Sequence, residues 1–125
     1  MLLMSMRFQI FLTKLEKKTK KIDALINNVG VAGPTGTIEK LSSEDWEKTL
    51  KINVISHFYF TKLAIPMLKK NKGGSIINIS SIAGKVPIRS SSVYCGTKFG
   101  LHGFGSALNK ELKDWKREVL NITFA

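Results

Sequence analysis

Ser75-Ile76-Ile77-Asn78-Ile79-Ser80-Ser81 is the stretch of sequence that decides the fold. It places three isoleucines within seven residues and follows a Gly73-Gly74 pair. A short, mostly apolar run of this kind is typical of a parallel strand that is buried on both faces. Two further runs with the same character lie on either side, at residues 22–26 and 119–125. We therefore predict three strands.

Three segments with helical periodicity alternate with these strands, at residues 8–21, 44–71 and 91–115. Ser42 or Ser43, followed by two acidic residues, predicts the start of the second helix, and Pro66 predicts a bend within it. The order helix, strand, helix, strand, helix, strand favours parallel strands joined by right-handed crossovers. The sequence thus predicts the α/β class and a single domain over residues 1–125.

The chain is strongly basic, with 20 lysines and arginines against 9 acidic residues and a formal net charge of +11. The lysines cluster at residues 14–21, 62–72 and 110–117, on or beside the predicted helices. Aromatic residues are not interleaved with them, as stacking on bases would require. We interpret the clusters as solvated helix faces and expect no specific nucleic-acid partner, although the charge alone would allow weak, salt-sensitive binding.

Other features argue against a membrane span, a disulfide and a metal site. The apolar start, residues 1–12, contains Arg7 and is shorter than the ~20 residues that cross a bilayer. The single cysteine, Cys95, excludes an internal disulfide and is compatible with the reducing cytoplasm, where we expect the protein to be. His57 and His102 lie in predicted helices without suitably spaced companions, so we expect no metal.

The candidate chemistry centres on Tyr94 and Lys98, which are four residues apart in a predicted helix and so share one face. An ammonium close to a phenol favours the phenolate and assists proton transfer. Ser81 ends the central predicted strand, at the sheet edge where α/β folds place their ligands. Asn53 lies within a predicted helix that it suits poorly, so its amide is either exposed or has a specific function.

Four motifs, in this order and spacing, resemble the signature series of the short-chain dehydrogenase/reductase family. They are Asn27-Asn28-Val29-Gly30, Lys51-Ile52-Asn53-Val54, Asn78-Ile79-Ser80-Ser81-Ile82-Ala83-Gly84 and Tyr94-Cys95-Gly96-Thr97-Lys98. The resemblance runs from about Phe11 to the last residue. It implies a partial Rossmann-type three-layer fold, with a parallel sheet flanked by helices and covering about strands four to six of the family fold.

The resemblance also implies roles for individual residues. Tyr94 is implied to be the catalytic acid/base, and Lys98 to promote its ionisation and to hydrogen-bond the nicotinamide ribose. Ser81 is implied to orient a substrate carbonyl or alcohol, and Asn53 to hold a water in a proton relay that reaches Lys98. The segment from Asn27 to Gly30 is implied to pack beside the adenosine half of the cofactor. The resemblance further implies that the cofactor is NAD or NADP and that the substrate is a small alcohol or carbonyl compound.

Some features depart from the family pattern. Val29 occupies a position where the family most often has alanine, and the 125 residues contain no T-G-x-x-x-G-x-G phosphate-binding turn. Gly30, Gly33 and Gly36 do not have its spacing. We therefore expect a chain that begins before the family's fourth strand and ends with its sixth. We also expect a homo-oligomer that forms through the helices at 44–71 and 91–115. The alternative interpretation is a truncated, non-catalytic remnant that acts as a helix-mediated oligomerisation or interaction module.

Overall fold

The computed structural model describes residues 2–71, 73–115 and 117–124, and the side chains of residues 6–71 and 73–114 within them. Helices and strands alternate along the chain as α1 (Leu2–Lys18), β1 (Ala24–Asn27), α2 (Ser43–Leu50), α3 (Ser56–Lys69), β2 (Gly74–Ser81), α4 (Ser92–Leu112) and β3 (Arg117–Phe124). Single 3₁₀ turns lie at Ile38–Lys40, Ile82–Gly84 and Lys113–Trp115. Residues 1, 72, 116 and 125, which end or adjoin predicted segments, lie outside the described residues.

The three strands form one parallel sheet in the order β1-β2-β3. Asn27 pairs with Asn78, and Ser81 pairs with Phe124, so the register carries the C-terminal ends of the strands to one edge. Two successive right-handed crossovers in the same direction place both connecting helices on the same face of a sheet. The predicted α/β class and the partial Rossmann-type topology are confirmed.

The hydrophobic core lies between that helical face and the sheet. It consists of buried side chains from α3, β2 and α4: Ala64, Leu68, Ile76, Leu108 and Leu112. Along β2, burial alternates, and the residues on the opposite face are only half-buried. The described helices thus supply one of the two helical layers that a three-layer fold contains.

The predicted helix at 44–71 consists of two α-helices joined by a short segment of a different helix type. A π-helical segment, Lys51–Ile55, separates α2 from α3, while α3 itself runs through Pro66 to Lys69. The change in helix type therefore lies at Lys51–Ile55, and α3 continues past Pro66. The predicted start is confirmed, because the Ser42 hydroxyl accepts a hydrogen bond of 3.1 Å from the Asp45 backbone N–H.

The N-terminal helix packs on α3 through aromatic rings. Phe8 stacks on Tyr59 with ring centroids 5.4 Å apart, and it meets the edge of Phe60 at 4.4 Å. Helix α1 extends over residues 2–18, earlier than the predicted 8–21. Within the described ranges, no helix combines the length and the apolar character needed to cross a bilayer.

The loop between β1 and α2 depends on a glycine at residue 33. Gly33 has a φ of +71°, and a Cβ there would lie 2.6 Å from Thr49 Oγ1 and 2.9 Å from its Cγ2. Thr49 is 2% exposed, and its hydroxyl donates to the Asp45 carbonyl at 2.7 Å, so it has little freedom to move. Both the backbone conformation and the available space therefore require glycine.

We predict that Gly33→Ala lowers the free energy of unfolding by about 2 kcal/mol or more, from left-handed strain plus the clash with Thr49. The matched control is Gly103→Ala in α4, where an added Cβ meets nothing within 4 Å. That change should stabilise the helix by up to about 1 kcal/mol. Urea denaturation of both variants measures the difference, and equal effects would contradict the packing described at Gly33.

Candidate active site

The C-terminal ends of β1 and β2 and one face of α4 meet at a single site. Lys98, on α4, is only 6% exposed, and its Nζ donates to the Ile79 carbonyl of β2 at 3.3 Å. The same ammonium lies 5.6 Å from the centroid of the Tyr94 ring. The predicted proximity of Tyr94 and Lys98 on one helix face is therefore confirmed.

The burial of Lys98 has an electrostatic consequence. Removing the ammonium from water lowers the pKa of Lys98 from its usual value, since burial disfavours the charged form. The Ile79 carbonyl engages one of its three N–H groups. Among the described residues, the ammonium forms no second hydrogen bond.

Asn53 is fully buried, which excludes the solvent-exposed alternative that the sequence left open. Its Oδ1 accepts a hydrogen bond from the Val31 N–H at 2.8 Å, and its Nδ2 donates to the Val31 carbonyl at 2.8 Å. Nδ2 also donates to Thr97 Oγ1 at 3.1 Å. The amide thus connects the loop after β1 to helix α4, and it lies within the π-helical segment, a feature frequent at functional sites.

Gly30 brings the loop after β1 against these same side chains. A Cβ added at Gly30 would lie 3.3 Å from Lys98 Nζ and 3.5 Å from Asn53 Oδ1. The lack of a side chain therefore leaves a narrow space in front of both polar groups. Gly30, Asn53 and Lys98, predicted from three separate motifs, come together at this point.

Ser81 occupies the predicted position at the end of β2. Its hydroxyl oxygen accepts a 3.3 Å hydrogen bond from the Ala83 N–H and caps the following 3₁₀ turn. No hydrogen bond among the described residues uses the hydrogen of this hydroxyl, so it can be donated to a ligand. The turn packs closely, since a Cβ on Gly84 would lie 2.5 Å from Ser80 Oγ.

Two contacts hold the loop between Ser81 and Tyr94. The Ile88 N–H donates to Cys95 Sγ at 3.3 Å, which ties the loop to the first turn of α4. The Ser90 carbonyl accepts a 2.9 Å hydrogen bond from the Gly36 N–H, which joins it to the loop after β1. Ser90 itself adopts the left-handed conformation, with a φ of 62°. The cysteine next to the tyrosine is thus a buried loop contact.

The Asn27 side chain is hydrogen-bonded between the sheet and α3. Its Nδ2 donates to Thr61 Oγ1 at 3.1 Å and to Asn78 Oδ1 at 2.9 Å, and the residue is 4% exposed. Both amide hydrogens are therefore used between the sheet and α3. This arrangement ties β1 to β2 and leaves the backbone of the Asn27–Gly30 segment as the part that could face a cofactor.

His57 is a buried polar residue for which the sequence suggested no role. It is 1% exposed, and its Nδ1 lies 3.3 Å from Ser56 Oγ. Burial, aided by the positive charge of Lys98 and opposed by the Asn27 backbone, lowers the pKa of His57 to about 4. The Asn27 backbone lies near the ring but forms no hydrogen bond of ordinary geometry with Nε2. His57 is therefore neutral at physiological pH and adds no charge beside Lys98.

The fold and the site together define a Rossmann-type α/β protein with a buried lysine and a tyrosine on one helix face. The family profile described as short chain dehydrogenase matches residues 5–124. The chain belongs to the short-chain dehydrogenase family. A solved metagenomic short-chain oxidoreductase in complex with NADP superposes with a TM-score of 0.89 at 28% identity, over 95% of this chain and 54% of that one.

Curated relatives that resemble this chain are named as an oxidoreductase, a dehydrogenase and a reductase. An uncharacterized oxidoreductase of Thermotoga maritima is 39% identical over 76% of this chain and 38% of its own length. An NADP-dependent 3-hydroxy acid dehydrogenase of Schizosaccharomyces pombe is 35% identical over 86% and 42%, and a 3-ketodihydrosphingosine reductase of Dictyostelium discoideum is 40% identical over 84% and 30%. The chain therefore spans between 30% and 42% of the length of these relatives.

Proposed function

We propose that the protein is an NAD(P)-dependent oxidoreductase that interconverts an alcohol and a carbonyl compound. The observation that carries this proposal is the position of the buried Lys98 ammonium. It donates a hydrogen bond to the Ile79 carbonyl, and its nitrogen lies 5.6 Å from the centroid of the Tyr94 ring. Burying an ammonium is costly, and perturbed groups of this kind concentrate at functional sites. The proposed reaction takes place in the cytoplasm, where the single reduced cysteine is stable.

In this proposal Tyr94 is the acid/base that gives a proton to, or takes one from, the substrate oxygen. The Lys98 ammonium lies beside this ring, and the hydrogens that Ile79 does not use bind a ribose hydroxyl. Ser81 donates its free hydroxyl hydrogen to the substrate oxygen and so orients it. When bound, the nicotinamide supplies or accepts the hydride.

The residues present suit a nicotinamide cofactor. The absence of a Cβ at Gly30 leaves space directly in front of Lys98 Nζ. We propose that the backbone from Asn27 to Gly30 lines this space, since the Asn27 amide is engaged elsewhere. Either NAD or NADP meets these requirements.

We propose that Asn53 contributes to a water-mediated proton relay through its oxygen atoms. Both hydrogens of its amide are used, by Val31 and by Thr97, so the side chain has no donor left for a water. A water could instead donate a hydrogen bond to Asn53, either to the second lone pair of its Oδ1 or to its main-chain carbonyl in the π-helical segment. A water bound there would pass protons between Lys98 and solvent.

The substrate is proposed to be a small alcohol or carbonyl compound. The names of two relatives, a 3-hydroxy acid dehydrogenase and a 3-ketodihydrosphingosine reductase, describe chemistry at a hydroxyl or carbonyl carbon. Ser81 and Tyr94 each carry a hydroxyl that can hydrogen-bond the oxygen of such a compound.

We predict that Tyr94→Phe abolishes turnover of alcohol or carbonyl substrates, since the ring keeps its packing and loses only the proton that is transferred. NADPH and NADH consumption over a panel of small ketones and aldehydes is the measurement. Tyr59→Phe is the matched control, because Tyr59 stacks on Phe8 away from the site. A Tyr94→Phe protein with full activity would contradict the assignment.

A second candidate function, an oligomerisation or interaction module, is favoured by the outer faces of the helices. Phe58 on α3 is 47% exposed and Phe99 on α4 is 41% exposed. Next to Phe99, a Cβ added at Gly96 or Gly100 meets nothing within 4 Å. We propose that α3 and α4 form a homo-oligomer interface, where small residues let helix backbones approach closely.

We predict that Gly100→Glu weakens this self-association at least about tenfold, because it places a charge in an apolar contact. Ile38→Glu introduces the same charge at a residue that is 65% exposed and away from α3 and α4, and it should have no effect. Sedimentation velocity over a concentration series measures both. A monomer at all concentrations in the unsubstituted protein would overturn the proposed interface.

A further inference from the structure

Thr97 connects Asn53 to the Tyr94 backbone, because its hydroxyl both donates and accepts a hydrogen bond. The residue is 1% exposed on α4. Its Oγ1 donates to the Tyr94 carbonyl at 2.8 Å and accepts from Asn53 Nδ2 at 3.1 Å. A hydroxyl has one hydrogen, so the donation to Tyr94 fixes the direction of both bonds.

These bonds form a continuous chain from the loop after β1 to the tyrosine. The Val31 backbone is held by both ends of the Asn53 amide, at 2.8 Å each. The remaining amide hydrogen of Asn53 reaches Thr97, and Thr97 reaches the Tyr94 carbonyl. Without the Thr97 hydroxyl, one Asn53 hydrogen would be buried with no acceptor.

We propose that Thr97 is a positioning residue, which sets the distance between the Asn53 segment and the Tyr94–Lys98 face of α4. This role rests on the proposed oxidoreductase function, because the geometry it maintains is that of the proton relay. Thr97 does not touch substrate or cofactor in this account. It acts through Asn53, whose Oδ1 lies near the same space before Gly30 as Lys98 Nζ.

The test compares Thr97→Val, which keeps the shape and removes the hydroxyl, with Thr97→Ser, which keeps the hydroxyl. Amide hydrogen exchange at Val31, measured by NMR relative to the core amide of Ile76, reports the Asn53 bond. We expect about tenfold faster exchange at Val31 in Thr97→Val, as for one lost hydrogen bond, and nearly unchanged exchange in Thr97→Ser. Thr97→Ala replaces Thr97→Val if the valine variant does not fold.

Steady-state kinetics on the same proteins show whether the positioning matters for the reaction. Thr97→Val is expected to lower kcat about tenfold or more with little change in KM, and Thr97→Ser is expected to restore it. Unchanged exchange at Val31, or faster exchange with unchanged kcat, would overturn the proposal.

A failure of the proposed oxidoreductase function can be distinguished from a failure of the proposed role of Thr97. If the unsubstituted protein turns over no alcohol or carbonyl substrate, the oxidoreductase function fails. The exchange comparison then still decides the structural link: faster exchange at Val31 in Thr97→Val alone supports it, and equal exchange in both variants overturns it.

Discussion

The hydrogen bonds of the Asn53 amide are the constraint on which the rest of the site depends. They fix the backbone at Val31 and reach Thr97 on α4, so they join segments that are far apart in the chain. A buried amide without these partners would be destabilising, whereas a satisfied one specifies a single arrangement. Gly30 and Lys98 are brought to the same place as a consequence.

Much of this arrangement follows from local sequence rules. Strands alternating with helices predict the parallel sheet, and right-handed crossovers bring the ends of β1 and β2 to one edge. Ser81 was therefore placed at the correct edge by its position after an apolar run. The spacing of Tyr94 and Lys98 predicts that both lie on one face of a helix. The distance of 5.6 Å between Lys98 Nζ and the centroid of the Tyr94 ring agrees with that prediction.

Other features depend on contacts that the local sequence does not reveal. The π-helical segment at Lys51–Ile55 shifts the hydrogen-bond pattern by one residue, and no residue type marks such a shift. The direction of the Asn27 amide depends on the register of β1 against β2, because a shift of one residue would turn the side chain to the other face of the sheet. Thr97 bonds a residue 44 positions away in the chain, so its contact with Asn53 becomes visible only in three dimensions.

The most direct test of the account is a titration of the purified 125-residue chain with NADH and with NADPH, following nicotinamide fluorescence. We predict saturable binding of at least one of them. Lys98→Met should weaken that binding, because it removes the ammonium that is proposed to hold the ribose. The absence of binding by a chain shown to be folded would contradict the account, and would favour the interaction module over the oxidoreductase.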